Sequence, residues 1–363
     1  MYGKITPPPY ESDIKSKERN SNLELYRIIV MLLIVAHHYV VNSGLVSIID
    51  SAPYNADSVF YYLFGMWGKT GINCFVMITG WFMCKSRITL RKYLKLIFEV
   101  IFYNVVINAI FAISGYASFS LIDWFWILWP VHNIASDFVT CFLLFYLCIP
   151  FLNILIRHLD KKMHQWLILL MLFIYTIMGT SYKYQVSMNY VSWFSVLFLI
   201  ASYLRFYNTT YKGKELKWGV MTVISMIVSM TTVVAIPYVS VWIGKPIPYH
   251  FFVADSNHLM AVITAVCSFM YFKDVKLKNS RIINTIAAST FGVLLIHANS
   301  NTMRKWLWQD ILDNEGQYGT STFVLHAVGS VVVVFVVCII IDYIRIRIIE
   351  NYIFKWLDTK GIY

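Results

Sequence analysis

About ten apolar runs, each nearly long enough to cross a bilayer, leave this chain few folds to choose from. They fall at about 24–42, 62–84, 93–115, 137–157, 164–181, 188–206, 218–240, 256–272, 282–299 and 322–344. The connections between them are short, so no separate soluble domain is expected. About 20 apolar residues of helix span the hydrocarbon core. The pattern therefore predicts an all-α fold: a polytopic membrane bundle of about ten transmembrane helices. Composition agrees, since 58% of residues are hydrophobic and only 13% are charged, which excludes an ordinary soluble domain.

The thirty Lys and Arg residues orient the bundle. Twenty-four of them fall in the N-terminal segment, the C-terminal segment and the loops after the second, fourth, sixth and eighth runs. Only Lys183, Lys245, Arg304 and Lys305 fall in the alternate loops. By the positive-inside rule both termini are expected in the cytoplasm. The net charge of +11 is then a topology signal, and nucleic acid is not expected as a partner. The organisation expected is a cytoplasmic tail over 1–22, a membrane domain over 23–345 and a cytoplasmic tail over 346–363. The polar start, with Pro7, Pro8 and Pro9, has no cleavable-signal pattern. The six cysteines lie in or beside apolar runs without metal-ligand spacing. They are expected to be packing residues, and no bound metal or cofactor is implied.

The first run carries residues that a bare anchor would avoid. Glu24 and Arg27 sit near its start, and His37 and His38 lie well inside. A charge at bilayer depth costs roughly 2.5–3.5 kcal/mol on insertion scales. At about 100° and 1.5 Å per residue, Arg27 and His38 share one face about 16 Å apart, Glu24 joins that stripe, and His37 points elsewhere. An arginine near a span end can also snorkel to the interface. His297, near the end of the ninth run, is expected at the depth of His38. His258 and His326 are expected to be interfacial. Lys69 and Asn73 lie in the outer part of the second run. Asn104 and Asn108 form an i,i+4 polar patch, expected to bind helix to helix, and Glu99 is expected to pair with Lys95. Loops 116–136 and 300–321 hold tryptophans, including Trp126 and Trp308. Their expected role is interfacial anchoring; sugar binding is the alternative.

Glu24-x-x-Arg27 followed by His38 resembles the signature of the membrane acyltransferase-3 superfamily, which O-acylates cell-surface glycans. Other blocks resemble it in order: Gly71 to Trp81, Pro150 to Asn153, Ser289 to His297, and Asp342 to Arg345. The family's Arg-x-x-Arg pair before the third span is matched only by Lys92 and Lys95, with Arg91 adjacent, and lysine lacks the guanidinium fork. The resemblance implies a multi-pass protein of the bacterial cytoplasmic membrane, surrounded by membrane lipids. It would take an acyl group, acetyl most commonly in the family, from acyl-CoA. The acceptor would be a cell-surface glycan or lipid-linked saccharide. His38, Arg27 and Glu24 would form the catalytic group. Arg91, Lys92 and Lys95 would bind the donor, and His297, Asn73 and Ser289 would support the acceptor side. His38 suits either a general base or an acyl carrier. The chain ends at Tyr363 without a hydrolase-like extension, so the membrane domain is expected to finish the transfer or to hand the group to a partner. The rival expectation is a glycan transporter or exporter without acyl chemistry.

Overall fold

The computed structural model describes residues 20–360, apart from 132–136, 182, 185 and 208–216. The N-terminal segment 1–19 and the basic pair Lys212 and Lys214 lie outside the described residues. Within them the chain is helical throughout, with no strand. The first half runs α1 (Ser21–Val41), α2 (Leu45–Ser51), α3 (Ala56–Gly65), α4 (Gly68–Met83), α5 (Leu90–Ile113), α6 (Leu121–Leu128), α7 (Phe138–His158) and α8 (Lys161–Leu172). The second runs α9 (Tyr190–Phe206), α10 (Trp218–Ile243), α11 (Leu259–Asp274), α12 (Arg281–Ala288), α13 (Thr290–His297), α14 (Asn301–Lys305), α15 (Phe323–Ile344) and α16 (Asn351–Thr359). Wider π-helical turns follow α8, α14 and α15, at Phe173–Met178, Trp306–Ile311 and Arg345–Glu350.

Five helical stretches are long and apolar enough to cross a membrane: α1, α5, α7, α10 and the continuous run Phe323–Thr359. A sixth span results if Arg281–His297 and Asn301–Ile311, which meet at 93°, count as one broken unit. The other four apolar runs lie on shorter or interrupted helices. The run 62–84 breaks between α3 and α4, and 164–181 passes from α8 into a π turn. The helices α9 and α11 have 17 and 16 residues. Irregular backbone at membrane depth is tolerated where protein surrounds it.

The first helix, α1, is the hub. It packs on α3, α4, α11, α12, α13 and α15. Glycines at a spacing of three permit its closest crossing. A Cβ on Gly65 would meet Val40 at 2.9 Å, one on Gly71 would meet Ile34 at 2.9 Å, and one on Gly68 would meet the His37 ring at 2.2 Å. Small residues at this kind of spacing let membrane helices pack by backbone approach. On the outer faces the pattern inverts. Val223, Ile224 and Ile227 on α10, with Leu325, Val333 and Val337 on α15, are exposed. A surface that apolar is expected against lipid, not water.

One end of the bundle gathers the start of α1, the start of α5 and the residues after α15; it is called the basic end below. The Ser21 hydroxyl donates to Asn284 Oδ1 at 2.9 Å. Arg345, 2% exposed, meets Asp342 at 2.8 Å, Glu350 at 2.7 Å and Glu99 at 3.1 Å. The Tyr103 hydroxyl donates to Asp342 at 2.8 Å. Glu99 therefore pairs with Arg345 rather than Lys95, because the i,i+4 lysine reaches past it to Glu350 at 3.0 Å. The stretch 346–360 is helical and docked, with buried Phe354 against Phe98 at 5.9 Å.

Candidate active site

At the end of the bundle away from the basic end, a cavity of about 650 Å³ opens between α1, α4, α5, α6, α7, α9 and the α13–α14 bend. Several of these segments deliver polar groups to it. The helix α1 contributes His37 and His38, and α4 contributes Lys69. From α5 come Asn104 and Asn108; the bend after α13 supplies Asn299 and Arg304. Apolar and aromatic surface comes from Ile34, Phe75, Trp126, Phe138 and Tyr190. A mostly apolar pocket with a few converging polar groups is the usual form of a ligand site.

The two histidines expected at one depth are in contact. His38 Nδ1 lies 2.8 Å from His297 Nε2, and His297 Nδ1 lies 2.6 Å from the Val293 carbonyl oxygen. A carbonyl only accepts, so His297 Nδ1 carries the proton and donates it. In the neutral ring His297 Nε2 is then the acceptor, and His38 Nδ1 must be the donor. This chain leaves His38 Nε2 as the nitrogen with a free lone pair, on a ring that lines the cavity. His297 is fully buried behind it, edge-on to Trp308 at 6.2 Å.

His37 does not point elsewhere. Its Nδ1 donates to the Gly65 carbonyl at 2.6 Å, its ring lies 5.7 Å from that of His38, and it lines the same cavity. Room for the His37 ring on this side of α1 comes from Gly68, where a Cβ would meet it at 2.2 Å.

The remaining sequence-derived residues divide. Glu24 and Arg27 pair with each other at 3.0 Å and are not among the residues lining the cavity, which begins one turn further along α1, at Met31. Asn73 is fully buried and clamps three segments. It accepts from Trp193 Nε1 at 2.9 Å and donates to the Ser256 carbonyl at 2.6 Å. Ser289 is buried at the α12–α13 junction, about 12 Å along α13 from His297 at 1.5 Å per residue. It faces a second, smaller groove. Of the three basic residues near the start of α5, Arg91 pairs with Asp358 at 2.5 Å and Lys95 with Glu350. Lys92 donates to Ser86 Oγ at 2.8 Å and the Arg87 carbonyl at 2.9 Å. Trp308 is no interfacial anchor: it is fully buried between His297 and Tyr39.

Several cavity residues were not singled out from sequence as site residues. Asn104 and Asn108, read as helix glue, do both jobs. Asn299 Nδ2 donates to Asn104 Oδ1 at 3.1 Å, and Asn108 Nδ2 to the Asn104 carbonyl at 2.7 Å. Lys69 donates to Tyr190 Oη at 2.8 Å and lies 3.6 Å from Asp255. Arg304 donates to the Ala298 carbonyl at 3.1 Å. Its signal in the sequence is a cation among the sparsely charged loops. Asp123, also at the cavity, caps α6. Hydrogen bonds from the Ser120 hydroxyl and amide hold its carboxyl below the usual carboxylate range, so it presents a fixed negative charge. Among the described residues no cluster of His, Cys, Asp and Glu is arranged to hold a metal ion.

Comparison with curated proteins and with solved structures finds no match. A family model described as an acyltransferase domain matches residues 20–343. That match covers α1 and nearly all of α15, with every cavity residue between them, so this chain is a multi-pass membrane protein that belongs to the acyltransferase-3 family.

Proposed function

We propose that the protein is an O-acyltransferase that moves an acyl group, acetyl first among candidates, from acyl-CoA to a sugar hydroxyl. The acceptor is a cell-surface glycan, exopolysaccharide or lipid-linked saccharide. The setting is the bacterial cytoplasmic membrane, with about ten spans and both termini in the cytoplasm. The uneven distribution of Lys and Arg supports that orientation, in which the cavity faces the outside, where glycan is found.

The observation that carries this reading is the Val293–His297–His38 hydrogen-bond chain. It sets the tautomer of His38 so that Nε2 is the base. In the reaction His38 Nε2 takes the proton of the acceptor hydroxyl as its oxygen attacks the thioester carbonyl. The resulting imidazolium is stabilised by donating its own Nδ1–H to His297 Nε2. The carbon–sulfur bond then breaks, and the leaving thiolate takes the proton back from Nε2. The negative charge on the tetrahedral oxygen is met by the cations of the cavity, Lys69 and Arg304. Arg27, held by Glu24, is a positioning residue on the donor's side of the cavity. The asparagine cluster and Trp126 suit the acceptor, since amides bond sugar hydroxyls and an aromatic face packs on a ring.

Mass spectrometry of surface glycans from cells with and without the gene is the test. Loss of one acetyl mass per repeat in the deletion, restored by wild type and not by His38→Ala at equal membrane level, is the expected result. An unchanged glycan mass would overturn the reading, and a succinyl mass loss would change the donor.

A further inference from the structure

We propose that the groove between α12 and the π turn after α15 holds a phosphate group of the acyl donor, gripped by Arg281 and Arg347. The proposal rests on the acyl-CoA reading above. The groove encloses about 350 Å³ at the basic end, and no carboxylate lines it. Arg281 and Arg347 both line it, and neither has an ion pair among the described residues. Three other cations near that end are instead paired with carboxylates. Arg91 meets Asp358, Lys95 meets Glu350, and Arg345 meets three carboxylates.

The uncompensated charge is accompanied by prepared donors. Arg347 lies over the Tyr343 ring at 5.2 Å, which orients a planar guanidinium for bidentate contact with phosphate. The Asn279 carboxamide accepts from Ser21 Oγ and Asn284 Nδ2 through its oxygen. Its own NH2 therefore has no partner among the described residues. The Ser289 hydroxyl is fully buried at the groove and also lacks one. A buried hydroxyl without a partner is uncommon enough to require a reason, and a ligand oxygen supplies one. Asn351 completes the lining from α16. Arg345 and Arg347, two residues apart on the π turn, face opposite ways: Arg345 meets the carboxylates and Arg347 lines the groove. Such turns recur at functional sites.

The test is equilibrium binding of CoA to purified full-length protein in neutral detergent, with 3′-dephospho-CoA as the second probe. The Arg281→Gln/Arg347→Gln double variant is expected to raise the Kd for CoA about tenfold or more, as loss of charge-assisted phosphate contacts does, and to lose discrimination between the two probes. Both side chains are exposed, so a monodisperse elution profile is expected, and Arg281→Lys/Arg347→Lys should recover part of the affinity. Lys162→Gln, at an exposed residue of α8 that does not line the groove, is expected to leave the Kd within about twofold. If the double variant binds CoA like wild type, the groove assignment is wrong while the donor reading stands. If wild type binds no CoA, the donor reading itself falls. Anionic lipid offers the same phosphate chemistry, so native mass spectrometry from phosphatidylglycerol nanodiscs forms the second arm. Loss of bound lipid in the double variant with CoA affinity intact would assign the groove to lipid and overturn the proposal.

Discussion

At the scale of single residues, the chemistry turns on which nitrogen of His38 has a lone pair. The Val293 carbonyl fixes His297, and His297 fixes His38. Replacing His297 by Gln supplies a donor and an acceptor in a carboxamide but not the ring geometry. His297→Gln is expected to lower kcat by about a hundredfold, the lower end of what general-base catalysis supplies, while KM for the acceptor stays within about twofold. Acyl-transfer kinetics on a soluble acceptor analogue check this; an unchanged kcat would remove His297 from the mechanism. Gly68 is a second residue-scale constraint. A methyl there would lie 2.2 Å from His37 Cγ, and overpacking of this kind costs about 1–3 kcal/mol. Gly68→Ala is expected to lower the thermal midpoint in detergent and to displace His37 from the cavity. The glycine was visible in the sequence, but its neighbour was not, since Gly68 and His37 lie on different helices.

At the scale of elements, the α5–α15 contact is held by ions rather than by apolar packing alone. Arg345 is the only cation within reach of Asp342 among the described residues, and Glu99 and Glu350 also bond to it. Removing one partner of a buried pair leaves a charge without compensation and typically costs about 3–5 kcal/mol. Arg345→Ala is therefore expected to unfold at markedly lower temperature, whereas Arg91→Ala, whose pair with Asp358 is exposed, should shift the midpoint little. Differential scanning in one detergent distinguishes them; equal midpoints would refute the ranking. At the start of α5, Arg91 and Lys95 are likewise held by carboxylates. Sequence shows their charge and spacing on α5, but the compensating carboxylates come from residues 350–358, more than 250 positions away.

For the whole molecule, the arrangement separates two faces: a cavity with the histidines at one end and a groove with two arginines at the other. Orientation in the membrane follows from the Lys and Arg distribution and can be measured directly. All six cysteines are free, and five are buried, so background labelling should be low. Arg87→Cys is expected to react with an impermeant maleimide only after the inner face is opened, and Lys245→Cys in intact cells. The reverse pattern would invert the topology and place the cavity toward the cytoplasm.

The sequence alone determined the class of fold, the family and the basic end, because hydropathy, charge counts and short motifs are sums over neighbours along the chain. It also brought His38 and His297 to similar depth, since helix rise converts position into height. Contacts across helices were beyond it. The pairing of the two histidines, the inclusion of His37, Asn104 and Arg304 in one cavity, and the neutralisation of Lys95 by Glu350 depend on how helices rotate and cross. Rotation and crossing are set by small-residue packing between distant segments, as at Gly65, Gly68 and Gly71 against α1, and only the tertiary structure fixes which segments meet.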